Sequence, residues 1–326
     1  MSKIVPTKPP LDTLCTLIPP LSAKFHKGQL GRVGVIGGSE EYTGAPYFSA
    51  ISALKLGADL AHVICQPAAA IVIKSYSPDL IVHPYMRKSE KNPDLSSDEI
   101  INNVEELFPR LHVLVVGPGL SRDLMMLNCA QGIIQKAKEK MIPIIIDADG
   151  LFLVQNNPNV IKDYPKAILT PNLNEFKRLC ETMNVSSENN SLEEMTQQLS
   201  KAFGGVVIVN KGKNDFISNG KVVFLVDNEG GLKRCGGQGD VLTGLIATFL
   251  DWGLSYQNKI WQHDNKISPD DIAMLASFAG CAITRECSRL AFGKLGRSVQ
   301  TSDIILEIAS SFNNFLEGKC TQRPSM

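Results

Sequence analysis

The stretch that most constrains the fold is RCGGQGDVLTGLIATFLDWG, residues Arg234–Gly253. Three glycines within four residues lead into Asp240, and a strongly apolar run follows at once. Glycine has no Cβ, so neighbouring backbone N–H groups can converge on one point. At the start of a helix these amides lack an intrahelical partner and carry the positive end of the dipole. The stretch therefore predicts a phosphate-binding loop that opens a buried helix over Asp240–Leu250.

Asp240 has both a structural and a catalytic interpretation. An acid in the first turn stabilises a helix by about 0.3–1 kcal/mol, which would explain Asp240 but not the surplus of glycine. A carboxylate beside a phosphate cradle at Gly236–Gly239 could instead accept a proton from a substrate hydroxyl as that hydroxyl attacks a γ-phosphate. We favour the catalytic interpretation, because phosphoryl transfer accounts for the glycines and the acid together.

The rest of the chain predicts a single α/β domain with a doubly wound, mainly parallel sheet. Short runs of Val, Ile and Leu recur, most of them followed by a helix-length segment, as is typical of strands buried on both faces. The Asn219-Gly220 pair between two short strands predicts a hairpin. The predicted strands are Gly31–Ile36, Leu60–Cys65, Leu80–His83, Val113–Val116, Pro143–Asp147, Ala167–Thr170, Val206–Val209, Asp215–Ser218 and Val222–Val226. The further predicted helices are Ala45–Leu56, Leu124–Lys138, Glu175–Thr182, Leu192–Phe203, Pro269–Arg289 and Ser302–Leu316.

Composition excludes several classes of protein. The 326 residues are 44% hydrophobic and carry 33 basic and 33 acidic side chains, and this balance argues against a nucleic-acid or membrane-surface binder. No apolar run reaches the roughly 18 residues that a bilayer requires. The eight cysteines are scattered singly, which predicts reduced thiols and neither a zinc site nor disulfides. Because the N-terminus has no signal or transit pattern, we expect a cytosolic protein.

Polar loops follow the predicted strands at the edge where parallel sheets bind ligands. Asn172 and Glu175 have the spacing of a capping-box variant, and they could also organise Mg²⁺ and its waters. Asp147 and Asp149 end a strand, where paired acids are helix caps about as often as they are metal or substrate sites. Lys211-Gly212-Lys213 follows a buried strand and predicts a contact with a nucleotide phosphate.

Six segments, in order and at strand ends, resemble the ATP-dependent NAD(P)H-hydrate dehydratases of the ribokinase-like superfamily. They are HKGQLGRVGVIGGSEEYTGAPYFSAISALKLGADLAHV, VGPGL, DADGL, LTPNLNEF, NKGKND and GGQGDVLTGLIA. The chain departs from the family at Asn172, where many relatives carry His, and at Gln238, where Thr, Ser or Ala is common. Neither change removes a backbone donor.

The resemblance implies repair of a damaged nicotinamide cofactor. The family uses ATP, or ADP in many bacterial members, to phosphorylate the hydroxyl of NADH or NADPH that has been hydrated at the nicotinamide ring, in its S form. Phosphate, a good leaving group, then departs and restores the double bond. By this resemblance Asp240 is the base, and the amides of Gly237, Gln238 and Gly239 hold the transferring phosphoryl group.

The resemblance also implies which residues bind the two substrates. The hydrate would contact Gly119, Asp240 and residues 172–178, ATP would lie against residues 211–215 and 230–239, and Asn172 and Glu175 would organise Mg²⁺ through water. The residues of the three ranges are Asn172, Leu173, Asn174, Glu175, Phe176, Lys177 and Arg178; Lys211, Gly212, Lys213, Asn214 and Asp215; and Gly230, Gly231, Leu232, Lys233, Arg234, Cys235, Gly236, Gly237, Gln238 and Gly239.

The resemblance spans residues 26–316, which leaves an N-terminal extension, 1–25, and a C-terminal tail, 317–326, that we expect to fray. The extension is too short for the epimerase domain that is fused to many bacterial relatives, so an NAD(P)H-hydrate epimerase is expected on a separate chain. Apolar faces of the C-terminal helices leave self-association open. Two alternative functions also remain: a ribokinase-like small-molecule kinase and a catalytically silent nucleotide-binding subunit.

Overall fold

All nine predicted strands form, and they join one sheet in the order β3-β2-β1-β4-β5-β6-β7-β8-β9. The computed structural model describes residues 5–89 and 96–320. From β1 to β7 all pairs are parallel, whereas β8 and β9 are antiparallel. The strands are β1 (Arg32–Ile36), β2 (Leu60–Ile64), β3 (Ile81–His83), β4 (Val113–Val116), β5 (Ile144–Ile146), β6 (Ala167–Leu169), β7 (Val207–Asn210), β8 (Asp215–Ser218) and β9 (Val223–Val226).

The helices confirm the predicted segments and add four more. Four helices were not predicted: Leu11–Thr16, Pro67–Tyr76, Ser97–Glu105 and Asp149–Asn156, the last of which begins within the DADGL segment. The predicted helix Ser302–Leu316 is interrupted by a 3₁₀ turn over Ile305–Glu307. The helices are α1 (Leu11–Thr16), α2 (Gly44–Leu56), α3 (Pro67–Tyr76), α4 (Ser97–Glu105), α5 (Leu124–Glu139), α6 (Asp149–Asn156), α7 (Leu173–Thr182), α8 (Leu192–Ala202), α9 (Gln238–Gln257), α10 (Pro269–Leu295), α11 (Thr301–Ile304) and α12 (Ile308–Phe315).

The sheet separates two hydrophobic cores. Alternate residues of each strand face opposite sides, so Val33 and Val35 of β1 pack with α2, α3, α9 and α10, while Ile36 faces α4 to α8. Both faces are therefore covered by helices, which explains the near-continuous apolar runs in the strands. No helix in the described ranges is both long enough and apolar enough to cross a bilayer.

Helix α9 lies deep in the first core and carries Asp240 at its beginning. It continues past the predicted end at Leu250 to Gln257, and most of its residues are buried. At Gly244 an added Cβ would lie 2.1 Å from the carbonyl oxygen of Ser49 in α2. Only glycine permits this close approach, which fixes the position of α9 and hence of its first turn.

The N-terminal segment contacts both an edge strand of the sheet and the C-terminal segment. Thr7 pairs with β9 through hydrogen bonds to Val223 and Leu225, and so covers an edge strand. A disulfide joins Cys15 to Cys320. The expectation that all cysteines are reduced and that no disulfide forms is therefore wrong, because the fold brings together two cysteines that are 305 residues apart in sequence. Residues 321–326 of the expected frayed tail lie outside the described residues, while Glu317–Lys319 forms a 3₁₀ turn.

A pair of histidines bridges β2 and β3 inside the fold. His62 is 5% exposed, and its Nδ1 lies 3.0 Å from Nε2 of His83. Nε2 of His62 has no hydrogen-bond partner in the described part of the chain. Burial, and then the charges of His83, Arg110 and Arg32, lowers the pKa of His62 from 6.5 to about 4.

This histidine predicts a loss of stability in acid. Between pH 6.5 and about 4 the unfolded chain binds a proton at His62 that the folded chain does not bind. The free energy of unfolding should therefore fall as the pH falls, by up to about 3 kcal/mol from this ring alone. In urea melts across this range, His62→Gln should show a shallower fall than the wild type, while a change at the exposed ring, His26→Gln, should not. An equal acid slope in His62→Gln would contradict the assignment.

Candidate active site

The loops after β5, β6 and β7 converge on the first turn of α9. Nζ of Lys211, directly after β7, lies 2.9 Å from Oδ1 of Asp147, directly after β5. Lys211 also donates its backbone N–H to Pro171 at the end of β6. A Cβ added to Gly239 would lie 3.2 Å from both Asp147 Oδ2 and Lys211 Nζ. The glycine therefore brings the helix terminus directly against this ion pair.

The first turn of α9 has backbone N–H donors that neither a helical acceptor nor an N-cap side chain satisfies. Its N-cap, Gly237, has φ 97° and makes no side-chain cap. The first bond of the ladder runs from Val241 N–H to Gly237 C=O, at 3.0 Å. The amides of Gln238, Gly239 and Asp240 precede that bond and have no helical acceptor. These three donors lie at the positive end of a 20-residue helix, where an anion is favoured, and we term them the anion hole.

The electrostatics of Asp240 suit a proton acceptor. Burial, and then the Asp147 carboxylate, raises the pKa of Asp240 well above 3.8, while the Lys211 ammonium lowers it. For Lys211, burial acts to lower the pKa, but the carboxylates of Asp147, Glu175 and Asp240 outweigh it and raise the pKa. Lys211 therefore stays charged, and Asp240 is a stronger base than an ordinary aspartate.

Asn172 and Glu175 form the predicted capping box of α7. The side-chain oxygen of Asn172 accepts from the backbone N–H of Asn174 and of Glu175, and the Glu175 carboxylate accepts from the Asn172 N–H. Burial, and then the Asp147 charge, raises the pKa of Glu175. The structural interpretation of the N-x-x-E pattern is thus confirmed, and it leaves one oxygen of the Glu175 carboxylate outside the cap.

The acidic cluster fits a hydrated magnesium ion that is held partly by phosphates. Asp147, Glu175 and Asp240 lie around a single ammonium, that of Lys211, so negative charge is in excess. No three His, Cys, Asp or Glu side chains in residues 5–89 and 96–320 are arranged to hold a metal by themselves. Mg²⁺ commonly takes one or two carboxylates and completes its shell with water and substrate phosphates, so this donor set is adequate for it.

Apart from Asp240, the predicted hydrate-binding residues follow two strands: Gly119 follows β4, and residues 172–178 follow β6. The strand order reverses between β1 and β4, and there Gly38 donates to the carbonyl of Gly119, at 3.1 Å. Such a switch point is where open α/β sheets bind ligands. A cavity of 160 Å³ lies between Arg122 and helices α6 and α7, with Glu175 and Arg178 on its wall. Phe176 is fully buried, so its side chain belongs to the core and not to the cavity. A larger cavity, of 330 Å³, lies at the amino ends of the strands, away from the acidic cluster.

The predicted nucleotide-binding residues come from two segments that flank the anion hole. Gly212 and Lys213 are exposed between β7 and β8, whereas Asp215 is buried. In the second segment Leu232 is 84% exposed, and Lys233 donates to the carbonyl of Val299, at 2.7 Å. Each segment therefore has both exposed and hydrogen-bonded residues.

Sequence reasoning missed two residues of this region. The sequence did not decide whether Asp147 caps a helix or belongs to a metal or substrate site. Only the fold shows that it pairs with Lys211, 64 residues away. Arg285 was not among the predicted site residues. It directly follows the mainly apolar stretch DIAMLASFAGCAIT in α10, and its guanidinium is hydrogen-bonded to Asp215. A lone buried arginine in such a helix was the available signal.

Comparison with known proteins finds relatives over most of the chain. A family model described as NAD(P)H-hydrate dehydratase matches residues 33–310. A protein of Neurospora crassa named ATP-dependent (S)-NAD(P)H-hydrate dehydratase is 50% identical over 94% of each chain. The human protein of the same name is 47% identical over 94% of this chain and 84% of its own length.

Solved structures with the same fold include the ADP/ATP-dependent NAD(P)H-hydrate dehydratase of Bacillus subtilis, co-crystallised with ATP and Mg²⁺. It has a TM-score of 0.68 at 19% identity and covers 95% of this chain and 98% of its own. A putative ribokinase II of E. coli has a TM-score of 0.53 at 13% identity and covers 87% of this chain and 99% of its own. These likenesses establish the ribokinase-like fold, and the family match and the close relatives show that the chain belongs to the NAD(P)H-hydrate dehydratase family.

Proposed function

We propose that this protein uses ATP to dehydrate the S form of hydrated NADH or NADPH and so regenerates the reduced cofactor. The observation that carries the proposal is the position of Asp240, in the first turn of α9, beside open amides and the Lys211–Asp147 pair. A base and an anion hole at one point are what transfer of a phosphoryl group to a hydroxyl requires. The relatives named above supply the substrate class.

The reaction proceeds in two steps that balance. The ring hydroxyl attacks the γ-phosphorus of ATP and gives its proton to Asp240, so that a phosphate ester and ADP form. The carbon–oxygen bond to phosphate then breaks, and phosphate leaves with the bonding electrons. Water takes a proton from the neighbouring ring carbon, which restores the double bond, and a second proton from Asp240, which regenerates the base. Hydroxide is a poor leaving group and phosphate a good one, which explains why a kinase-like site can catalyse a dehydration.

The anion hole and Lys211 would act on the phosphates. The amides predicted for this role, those of Gly237, Gln238 and Gly239, together with the amide of Asp240 in the same turn, would face the charge that develops on the transferring group. Such preorganised donors are each worth about 10²–10³-fold in rate. Lys211 would neutralise phosphate charge while Asp147 holds its ammonium in place. Mg²⁺, held by Glu175 and Asn172 through water, would supply further neutralisation of the phosphates.

A small-molecule kinase with the same fold is the nearest alternative, and one assay separates the two. The protein would be incubated with ATP, Mg²⁺ and hydrated NADPH. Return of the absorbance of the reduced nicotinamide together with release of ADP would support the dehydratase. A stable phosphorylated product would support a kinase, and no change in either substrate would support a silent nucleotide-binding subunit.

The charges around Asp240 predict opposite shifts in the pH profile of kcat/KM. Asp240 acts as a base, so activity should fall as the pH drops through its raised pKa. Asp147→Asn removes a charge that raises the pKa of Asp240, so it should move the acid limb to lower pH. Lys211→Met removes the charge that lowers this pKa, so it should move the limb to higher pH. Both variants lose activity, so the position of the limb is the measurement; parallel shifts would contradict the base assignment.

Four wider parts of the proposal rest on the sequence. An NAD(P)H-hydrate epimerase on a separate chain would supply the S form, self-association stays open, and the cytosolic location and the division at residues 25 and 317 stay predictions. Fractionation of cells and gel filtration of the protein are the direct measurements.

A further inference from the structure

The side chain of Arg285, in α10, bridges two loops that are distant in sequence. Nε and one terminal nitrogen form a bidentate pair with the Asp215 carboxylate, at 2.7 and 2.6 Å. The remaining bonds are to backbone carbonyls, those of Gly212 at 3.0 Å, Lys213 at 2.9 Å and Asn228 at 3.1 Å. A guanidinium carries five N–H donors in a rigid fork. The five hydrogen bonds match this number, so the protein itself uses the full donor set of Arg285.

The pair is enclosed, which makes it a structural element of the loop and not a ligand contact. The side chains of Arg285 and Asp215 are 12% and 9% exposed. Oδ1 of Asp215, which accepts from the terminal nitrogen of Arg285, also accepts from the backbone N–H of Gly212, at 3.0 Å. A buried ion pair is tolerated when hydrogen bonds satisfy its remaining donors and acceptors, and here they do. No N–H of Arg285 is left over for a phosphate.

The same face of α10 also supports the second nucleotide-binding segment. The backbone N–H of Gly231 donates to Oγ of Ser288, at 3.3 Å. A Cβ added to Gly230 would lie 3.8 Å from the carbonyl oxygen of Arg285. One helix therefore contacts residues 211–215 and residues 228–231, and the guanidinium is bonded to both.

Resting on the proposed function, we infer that Arg285 is a positioning residue for the phosphoryl donor. It fixes the spacing of the two segments before ATP arrives, so that the nucleotide meets a preformed site. Such preorganisation removes the cost of ordering loops from binding, and a displacement of about 1 Å in a site can reduce activity by about 10²-fold. The residues predicted to bind the hydrate, Gly119 and 172–178, are not bonded to Arg285, so hydrate binding should be unaffected.

The test compares Arg285→Gln and Arg285→Lys with the wild type. Arg285→Gln should raise KM for ATP, and the Kd of a non-hydrolysable ATP analogue with Mg²⁺ measured by calorimetry, by about 10- to 100-fold. KM for the hydrate should stay close to the wild-type value. Lysine keeps the charge but lacks the planar fork, so Arg285→Lys should fall between the two. If both ATP constants are unchanged, or if KM for the hydrate rises equally, the inference is overturned.

Two further variants separate positioning from a loss of stability. Arg285→Gln leaves the buried Asp215 carboxylate without its guanidinium partner. The double variant Asp215→Asn/Arg285→Gln removes this charge but does not restore the hydrogen bonds from Arg285 to the three backbone carbonyls, so analogue binding should stay weak. Lys294→Gln breaks another ion pair of α10, with the buried Glu307 at 2.7 Å, and should lower Tm without changing either ATP constant. Binding of the analogue can be measured without turnover. An inactive wild-type protein would therefore contradict only the proposed function, whereas wild-type affinity for the analogue in the double variant would contradict only the role of Arg285.

Discussion

Replacing Asp240 with asparagine should reduce kcat by at least about 10²–10⁴-fold, the usual contribution of a general acid or base. Asparagine keeps the shape of the side chain, but it cannot take the proton of the substrate hydroxyl. The open amides of α9 are backbone groups and remain, so ATP should still bind. Single-turnover kinetics with the hydrate, together with calorimetric binding of a non-hydrolysable ATP analogue, would separate the lost chemistry from lost binding.

The stability of Asp240→Asn should be equal to or slightly higher than that of the wild type. Because burial raises the pKa of Asp240, the charged carboxylate is less favourable in the folded protein than in the unfolded chain at neutral pH. The neutral amide removes that penalty, while Lys211 keeps its bond to Asp147. Asp270→Asn is the matched control: it makes the same substitution at an exposed carboxylate, which is paired with Lys221, and should leave kcat unchanged. Substantial turnover by Asp240→Asn would remove the proposed mechanism.

The parts of the fold that sequence predicted well are those set by local chemistry. Buried strands show themselves through continuous Val and Ile because both faces of a parallel sheet are covered. The capping box at Asn172 and Glu175 was readable because its partners are three residues apart. The glycines before α9 were readable because a helix that starts on side-chain-free residues is rare without a ligand to bind.

The parts that could not be predicted depend on residues that meet only after folding. Asp147 and Lys211 are separated by 64 residues, and Arg285 and Asp215 by 70. The Cys15–Cys320 disulfide spans 305 residues, and single cysteines in a sequence do not reveal which of them become neighbours. The sequence thus located the candidate site at one edge of a sheet, but the electrostatics of that site are a property of the strand order.

Replacing Gly237 with alanine should reduce kcat by about 10²-fold, as the loss of one donor from an anion hole does. Its φ of 97° is a conformation that a side chain disfavours. The added Cβ would lie 2.9 Å from Cγ2 of Thr301 and 3.1 Å from a ring carbon of Phe48. The first turn of α9 must therefore shift, and its amides move with it, although Asp240 and every polar side chain remain.

A loss of activity in Gly237→Ala could also come from backbone strain alone, and two variants separate these causes. Gly296→Ala places alanine at another positive φ, 54°, with nothing within 4 Å of the new Cβ; it should lower Tm but not kcat. Adding Thr301→Ala to Gly237→Ala removes the nearest clash, and should recover part of the activity if displaced amides are the cause. Full activity in Gly237→Ala would mean that the transferring phosphoryl group is held elsewhere. The first turn of α9 would then be an ordinary helix terminus and not the place where the phosphoryl group is held.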